Sequence, residues 1–111
     1  MVFQRNLKIY EDHIYYGKQL VMPDVGRLDL LVVDTDTKEL IVVELKRNES
    51  YNDVIAQTLS YMKWIKDNIA KKNEKVKGLI CLHTANEELR QEAKRENIEI
   101  QEYSFSFEKV V

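Results

Sequence analysis

The sequence predicts an α/β (α+β) fold, a mixed β-sheet flanked by helices, and three observations carry that prediction. Residues 26–33 and 40–47 are two β-rich apolar runs on either side of a short polar connection, the pattern of a hairpin or tight strand pair. After them come a helical stripe, an apolar run, a second helical segment and an alternating run, a β-α-β-α-β order that builds a mixed sheet with covering helices. The composition is that of a globular chain: 111 residues, 44% hydrophobic and 32% charged, with three Gly and one Pro. That length suits one domain over 1–111, with one core and not two.

The first segment, 1–16, has Val2, Phe3, Leu7, Ile9 and then Ile14-Tyr15-Tyr16, broken by Glu11-Asp12, and reads as two short strands around an Asp-containing turn, with His13 a turn residue. A weaker strand follows over 18–22 and ends near Pro23, which lacks the donor a ladder needs. Gly26 allows a turn or a close backbone approach before the next strand. Asp34 and Asp36 fall in the polar loop between the two long strands and are expected to be solvated. After the polar link 48–53, a helix starting around Asn52 carries Val54, Ile55, Leu59, Met62, Ile65 and Ile69 at spacings of three and four. Gln57, Tyr61 and Trp64 share another flank, on a structural account the polar margin of that stripe. Residues 75–82 form the next strand, with Cys81 a buried thiol. Asn86 caps a helix over 87–96, and 98–103 alternates as a last strand. His83, just past a strand end, reads as structural.

No run approaches the ~20 apolar residues that cross a bilayer, and the start has no apolar signal segment. With one cysteine, the expectation is a cytoplasmic protein without disulfides or a membrane partner. The formal net charge is −2, yet Lys63, Lys66, Lys71, Lys72, Lys75 and Lys77 stand against only Asp67 and Glu74, a local surplus of four. That surplus either steers a polyanion, with Lys66, Lys71 and Lys72 as its contacts, or serves solubility and the helix dipole.

The chemistry-bearing residues lie on the two long strands. Side chains alternate along a strand, so Glu44 and Lys46 point one way while Val43 and Leu45 point the other. Asp29 interrupts the preceding apolar run, and antiparallel pairing brings it toward Glu44 across a strand spacing of about 4.8 Å. Two carboxylates that close repel unless a cation separates them, and Mg²⁺, which takes hard oxygen ligands, resolves the conflict. The alternative is an exposed Asp-Lys-Glu network contributing about 0–1 kcal/mol; the apolar runs around it argue for burial. Arg27, on the face of Asp29 if the strand is regular, either contacts phosphate or anchors an acidic side chain, the anchoring role being favoured.

Gly26-Arg27-Leu28-Asp29, Val43-Glu44-Leu45-Lys46 and Gln57-Thr58-Leu59-Ser60-Tyr61 resemble, in order, the G-x-x-D, E-x-K and Q-x-x-x-Y motifs of the PD-(D/E)XK nuclease superfamily. Within it the match is closest to the carboxy-terminal catalytic domain of the NucS/EndoMS mismatch endonucleases, over 25–82. The resemblance implies a restriction-endonuclease-like sheet and Mg²⁺- or Mn²⁺-dependent hydrolysis of DNA phosphodiesters in repair or processing of duplex or branched DNA. Asp29, Glu44 and the Leu45 backbone carbonyl would hold the metal. Lys46 would orient the attacking water, Gln57 would steady Lys46 or that water, and Tyr61 would pin the helix to the sheet. It also implies a homodimer or a DNA-binding partner. Related domains carry a glutamate on a helix before the strands, and no convincing counterpart precedes Gly26. A catalytically weak or inactive nucleic-acid-binding or assembly module of the same fold is therefore the alternative.

Overall fold

The structure is a computed structural model that describes residues 5–46 and 53–103. Val2, Phe3 and the polar link 48–52 lie outside the described residues. Eight elements follow in order: β1 (Leu7–Ile9), β2 (Lys18–Met22), β3 (Gly26–Asp34), β4 (Leu40–Lys46), α1 (Val54–Asn68), β5 (Val76–Leu82), α2 (Glu87–Arg95) and β6 (Ile98–Glu102). They form one six-stranded mixed sheet in the order β1-β3-β4-β5-β6, with β2 also on β3. The strands up to β4 pair antiparallel, while β4, β5 and β6 pair parallel through the crossovers α1 and α2. The hairpin and the β-α-β-α-β order are as the sequence predicts.

Both helices pack on one face. Tyr61 and Ile65 of α1 meet Leu28, Leu31, Leu40 and Val42. Val54 and Ile55 join Leu89 and Ala93 of α2 over Ile80, Leu82 and Ile98. Each fully buried side chain of this size stabilises by roughly 1.5–3 kcal/mol. Gly78 permits the close approach of α1, since a Cβ there would lie 2.8 Å from Met62 Sδ and 2.9 Å from Thr58 Cγ2. The opposite face holds Val32, Ile41, Val43 and Leu79, so the long strands are apolar on both sides.

Two local expectations are corrected. Ile14-Tyr15-Tyr16 is not a strand: only an isolated bridge joins Glu11 and Tyr16, around a turn in which Asp12 Oδ1 accepts from the Ile14 and Tyr15 amides. Asp34 is buried and not solvated, because its Oδ1 accepts from the Asp36 and Thr37 amides and closes the hairpin loop. Of the two readings of Tyr61, a polar margin or a pin between helix and sheet, its burial in the core at 3% exposure disfavours the margin. Thr58, a residue outside the apolar stripe, is fully buried with its hydroxyl donating to the Val54 carbonyl at 2.8 Å. The expected boundaries of α2 and β5 shift by one residue, and Asn86 Oδ1 caps α2 by accepting from Leu89 N at 2.7 Å.

Candidate active site

The β3–β4 ladder ends at Leu30↔Val43, whereas β4 continues to pair with β5 as far as Lys46↔Leu82. One more step in the first register would oppose Asp29 and Glu44. Instead, side chains replace the ladder. Asp29 Oδ2 accepts from the Leu45 amide at 2.8 Å, and the Glu44 carboxylate accepts from the Asp29 amide. Leu28 and Leu31 sit in the same core cluster although three residues apart, so β3 is irregular at this point. That removes the regular strand on which a common face for Arg27 and Asp29 depended, and Arg27 is exposed at the start of β3.

Glu44 points to the helix-covered face, as do its neighbours Leu40 and Val42. It is 3% exposed, and its Oε1 has no hydrogen-bond partner among the described residues. Lys46 shares that face. Its Nζ lies 3.9 Å from Glu44 Oε2 and donates to Gln57 Oε1 at 3.0 Å. Gln57 Nε2 in turn donates to the Tyr61 hydroxyl at 2.9 Å. Tyr61 is seated against Gly26, whose φ of +149° suits glycine and where a Cβ would lie 2.8 Å from the Tyr61 oxygen. The structure therefore brings Asp29, Glu44, Lys46, Gln57 and Tyr61 together, with the Leu45 backbone between the carboxylates and the lysine.

Burial, and after it the charge of Asp29, pushes the Glu44 carboxyl up to about 7 against the opposing pull of Lys46. A carboxyl whose folded pKa lies above its unfolded value of 4.5 contributes stability that is complete below about pH 4.5 and lost as pH rises through 7. The loss is on the order of 3 kcal/mol. Glu44→Gln should remove it: in EDTA, the variant is expected to melt well above the wild-type chain at pH 8 and close to it at pH 5. Parallel melting curves across that range would contradict the burial of a charged Glu44.

Lys66, Lys71 and Lys72 are not with these residues. Helix α1 leaves from the end of β4 and returns to the start of β5, so its last turn and the following loop lie at the other end of the sheet. There the Leu40 amide donates to the Lys75 carbonyl at 2.9 Å. The seven residues from Leu40 to Lys46 span about 20 Å. Lys66 donates to the Glu74 carbonyl at 2.8 Å. Lys63 pairs with Asp67 and Lys77 with Glu39.

One contact was not anticipated from the sequence. The Tyr103 hydroxyl donates to the Lys46 carbonyl at 2.9 Å and fixes the end of β4 from beyond β6, with His83 edge-on to its ring. An aromatic residue closing the alternating run 98–103 was its only signal. Cys81 lies in β5, half-buried, its thiol pushed up by burial. No helix precedes β3 among the described residues.

The donors around Asp29 and Glu44 are all oxygens, a set that suits Mg²⁺ or Mn²⁺. The unpartnered Glu44 oxygen and the repulsion between the two carboxylates fit such an ion. Among the described residues no group of three or more His, Cys, Asp or Glu side chains is placed to hold a metal ion.

A mixed six-stranded sheet with this order, carrying its polar cluster where β3 and β4 part, is a restriction-endonuclease-like fold. Two solved structures share it. One is the crystal structure of a repair endonuclease from Pyrococcus abyssi, with a TM-score of 0.64 and 22% identity over 78% of this chain. The other is EndoMS in a complex with double-stranded DNA, with a TM-score of 0.67 and 18% identity over 87% of this chain. The chain spans 36% of the length of each. No protein-family model and no curated protein matches it. No helix among the described residues is long and apolar enough to cross a membrane.

Proposed function

We propose that this chain is a metal-dependent endonuclease that hydrolyses phosphodiester bonds of DNA. The observation that carries the reading is the buried Glu44 carboxylate, one oxygen unpartnered, beside Asp29 and beside a lysine oriented by Gln57. The shared fold with two proteins described as a repair endonuclease and as EndoMS bound to double-stranded DNA supports it.

Asp29, Glu44 and the Leu45 carbonyl would hold the ion. Bound there, it would supply Lewis-acid polarisation of the scissile phosphate. Lys46, a donor with no acceptor capacity, positions the attacking water and offsets the charge that develops on the phosphoryl oxygens. Gln57 holds the ammonium in place, and Tyr61 holds Gln57. In the reaction one P–O bond to the water oxygen forms and one P–O ester bond breaks; the water proton passes to solvent, and the departing alkoxide takes up a proton from solvent to become a hydroxyl. The chain acts as a dimer or beside a DNA-binding partner, because cutting both strands of an antiparallel duplex calls for two opposed sites.

The test is a panel of strand-labelled DNAs, single, duplex, mismatched and branched, incubated with Mg²⁺ beside gel-shift lanes, with the protein mass read by light scattering. Metal-dependent nicks or double cuts in at least one form are expected, with a dimer mass where both strands are cut together. Binding without turnover on every form would replace the nuclease reading with that of a binding module. A one-chain mass with both strands cut in a single encounter would defeat the dimer.

A further inference from the structure

At the sheet end remote from Glu44 there is a cleft of 760 Å³ between the last turns of α1 and α2. Its walls carry Arg5, Lys63, Lys66, Lys75, Lys77 and Lys94 against only Glu96 and Glu99. Three of these cations are committed to carboxylates: Arg5 to Glu99, Lys63 to Asp67 and Lys77 to Glu39. Lys66 bonds a neutral carbonyl and keeps its full charge. Lys75 and Lys94 are exposed and have no ion pair among the described residues. Glu96 has no ion pair among the described residues, and each helix C-terminus contributes roughly −0.5 charge, so together they offset about two of the three lysines. A protein of net charge −2 thus keeps a residual positive charge, drawn from three separate elements, in one concave place.

We propose that this cleft is a second, non-catalytic docking site for the phosphodiester backbone of duplex DNA. The proposal rests on the reading of the chain as a DNA endonuclease. Cations supplied by α1, by the approach to β5 and by α2 suit a polyanion with a charge at every nucleotide. Gln57 and Lys66 stand on the same helix nine residues apart, about 13 Å at 1.5 Å per residue. That is less than half a turn of B-form DNA, so one duplex reaches from the carboxylates to the cleft. The cleft then supplies affinity without base readout.

The experiment is fluorescence anisotropy of a labelled 20-base-pair duplex in EDTA across a salt series, with the wild-type chain, the double variant Lys75→Gln/Lys94→Gln, and Lys75→Arg/Lys94→Arg. The Gln pair should bind more weakly and flatten the slope of log affinity against log salt by about 1.8, at about 0.9 per lost phosphate contact. The Arg pair should keep the wild-type slope. In single-turnover cleavage at saturating DNA, the Gln pair should keep the wild-type rate. An unchanged slope in the Gln pair, an equal loss in the Arg pair, or no duplex binding by the wild-type chain would overturn the proposal. Asp29→Asn separates the two readings: if it binds with the wild-type slope and still cuts, the site assignment fails and the cleft stands. Displacement of the duplex by an acidic peptide at equimolar concentration would assign the cleft to a protein partner instead.

Discussion

Asp29→Ala is expected to lower metal-dependent DNA cleavage by at least about 100-fold, the scale of losing a preorganised electrostatic contact in the transition state, while the chain still folds. Two effects on stability oppose each other. The Leu45 amide loses its acceptor, a cost of about 1 kcal/mol for a group that water can reach. Removing the Asp29 charge also relieves Glu44, which that charge destabilises in its ionised form. Cleavage is measured with Mg²⁺ and with Mn²⁺ beside a thermal melt. Asp29→Asn is the companion variant, since its carbonyl can still accept from Leu45 and only the charge is lost. Undiminished cutting by either variant would remove Asp29 from the site.

Lys46→Ala carries the second large effect, again a loss of roughly 100-fold or more in cleavage, with a different signature. The lysine is no metal ligand, so stabilisation of the protein by Mn²⁺ should survive in the variant. Without its ammonium, Glu44 also loses the one side chain that favours its charged form, and Gln57 loses its donor. The carboxyl should therefore titrate higher still and the melting temperature near pH 8 should fall. If the variant loses both cleavage and the Mn²⁺ response, Lys46 is structural, and the contribution of the lysine to catalysis would have to be reassigned.

The hairpin and the crossovers were legible because alternation and apolar run length report burial directly: residues 40–43 are apolar without a break, and β4 is buried on both faces. The proximity of Asp29 to Glu44 was legible from strand pairing alone. What alternation does not carry is a break in alternation. At Asp29 the strand departs from its period and the carboxylate takes over a backbone bond, which depends on where β4 outruns β3. Tyr61, for which the sequence left a polar margin and a helix-to-sheet contact both open, turns on a neighbour that alternation does not show. Its hydroxyl marks it as polar, yet Gly26 opposite leaves the room that draws the ring into the core. The lysines after residue 63 show that a charge count along the chain says nothing of position in space. Connectivity does: a helix that starts at the end of β4 must finish beside the start of β5, far from Glu44. Tyr103 reaches Lys46 across fifty-seven residues, a contact that no local pattern announces.

Single-turnover cleavage of a labelled duplex by EDTA-stripped protein, titrated with Mg²⁺, tests the central claim most directly. The site described here predicts no cutting in EDTA, a saturable rise with the ion, and no rise for Asp29→Asn at any concentration that saturates the wild-type chain. Full-rate cutting in EDTA, or identical titrations for the two proteins, would contradict it.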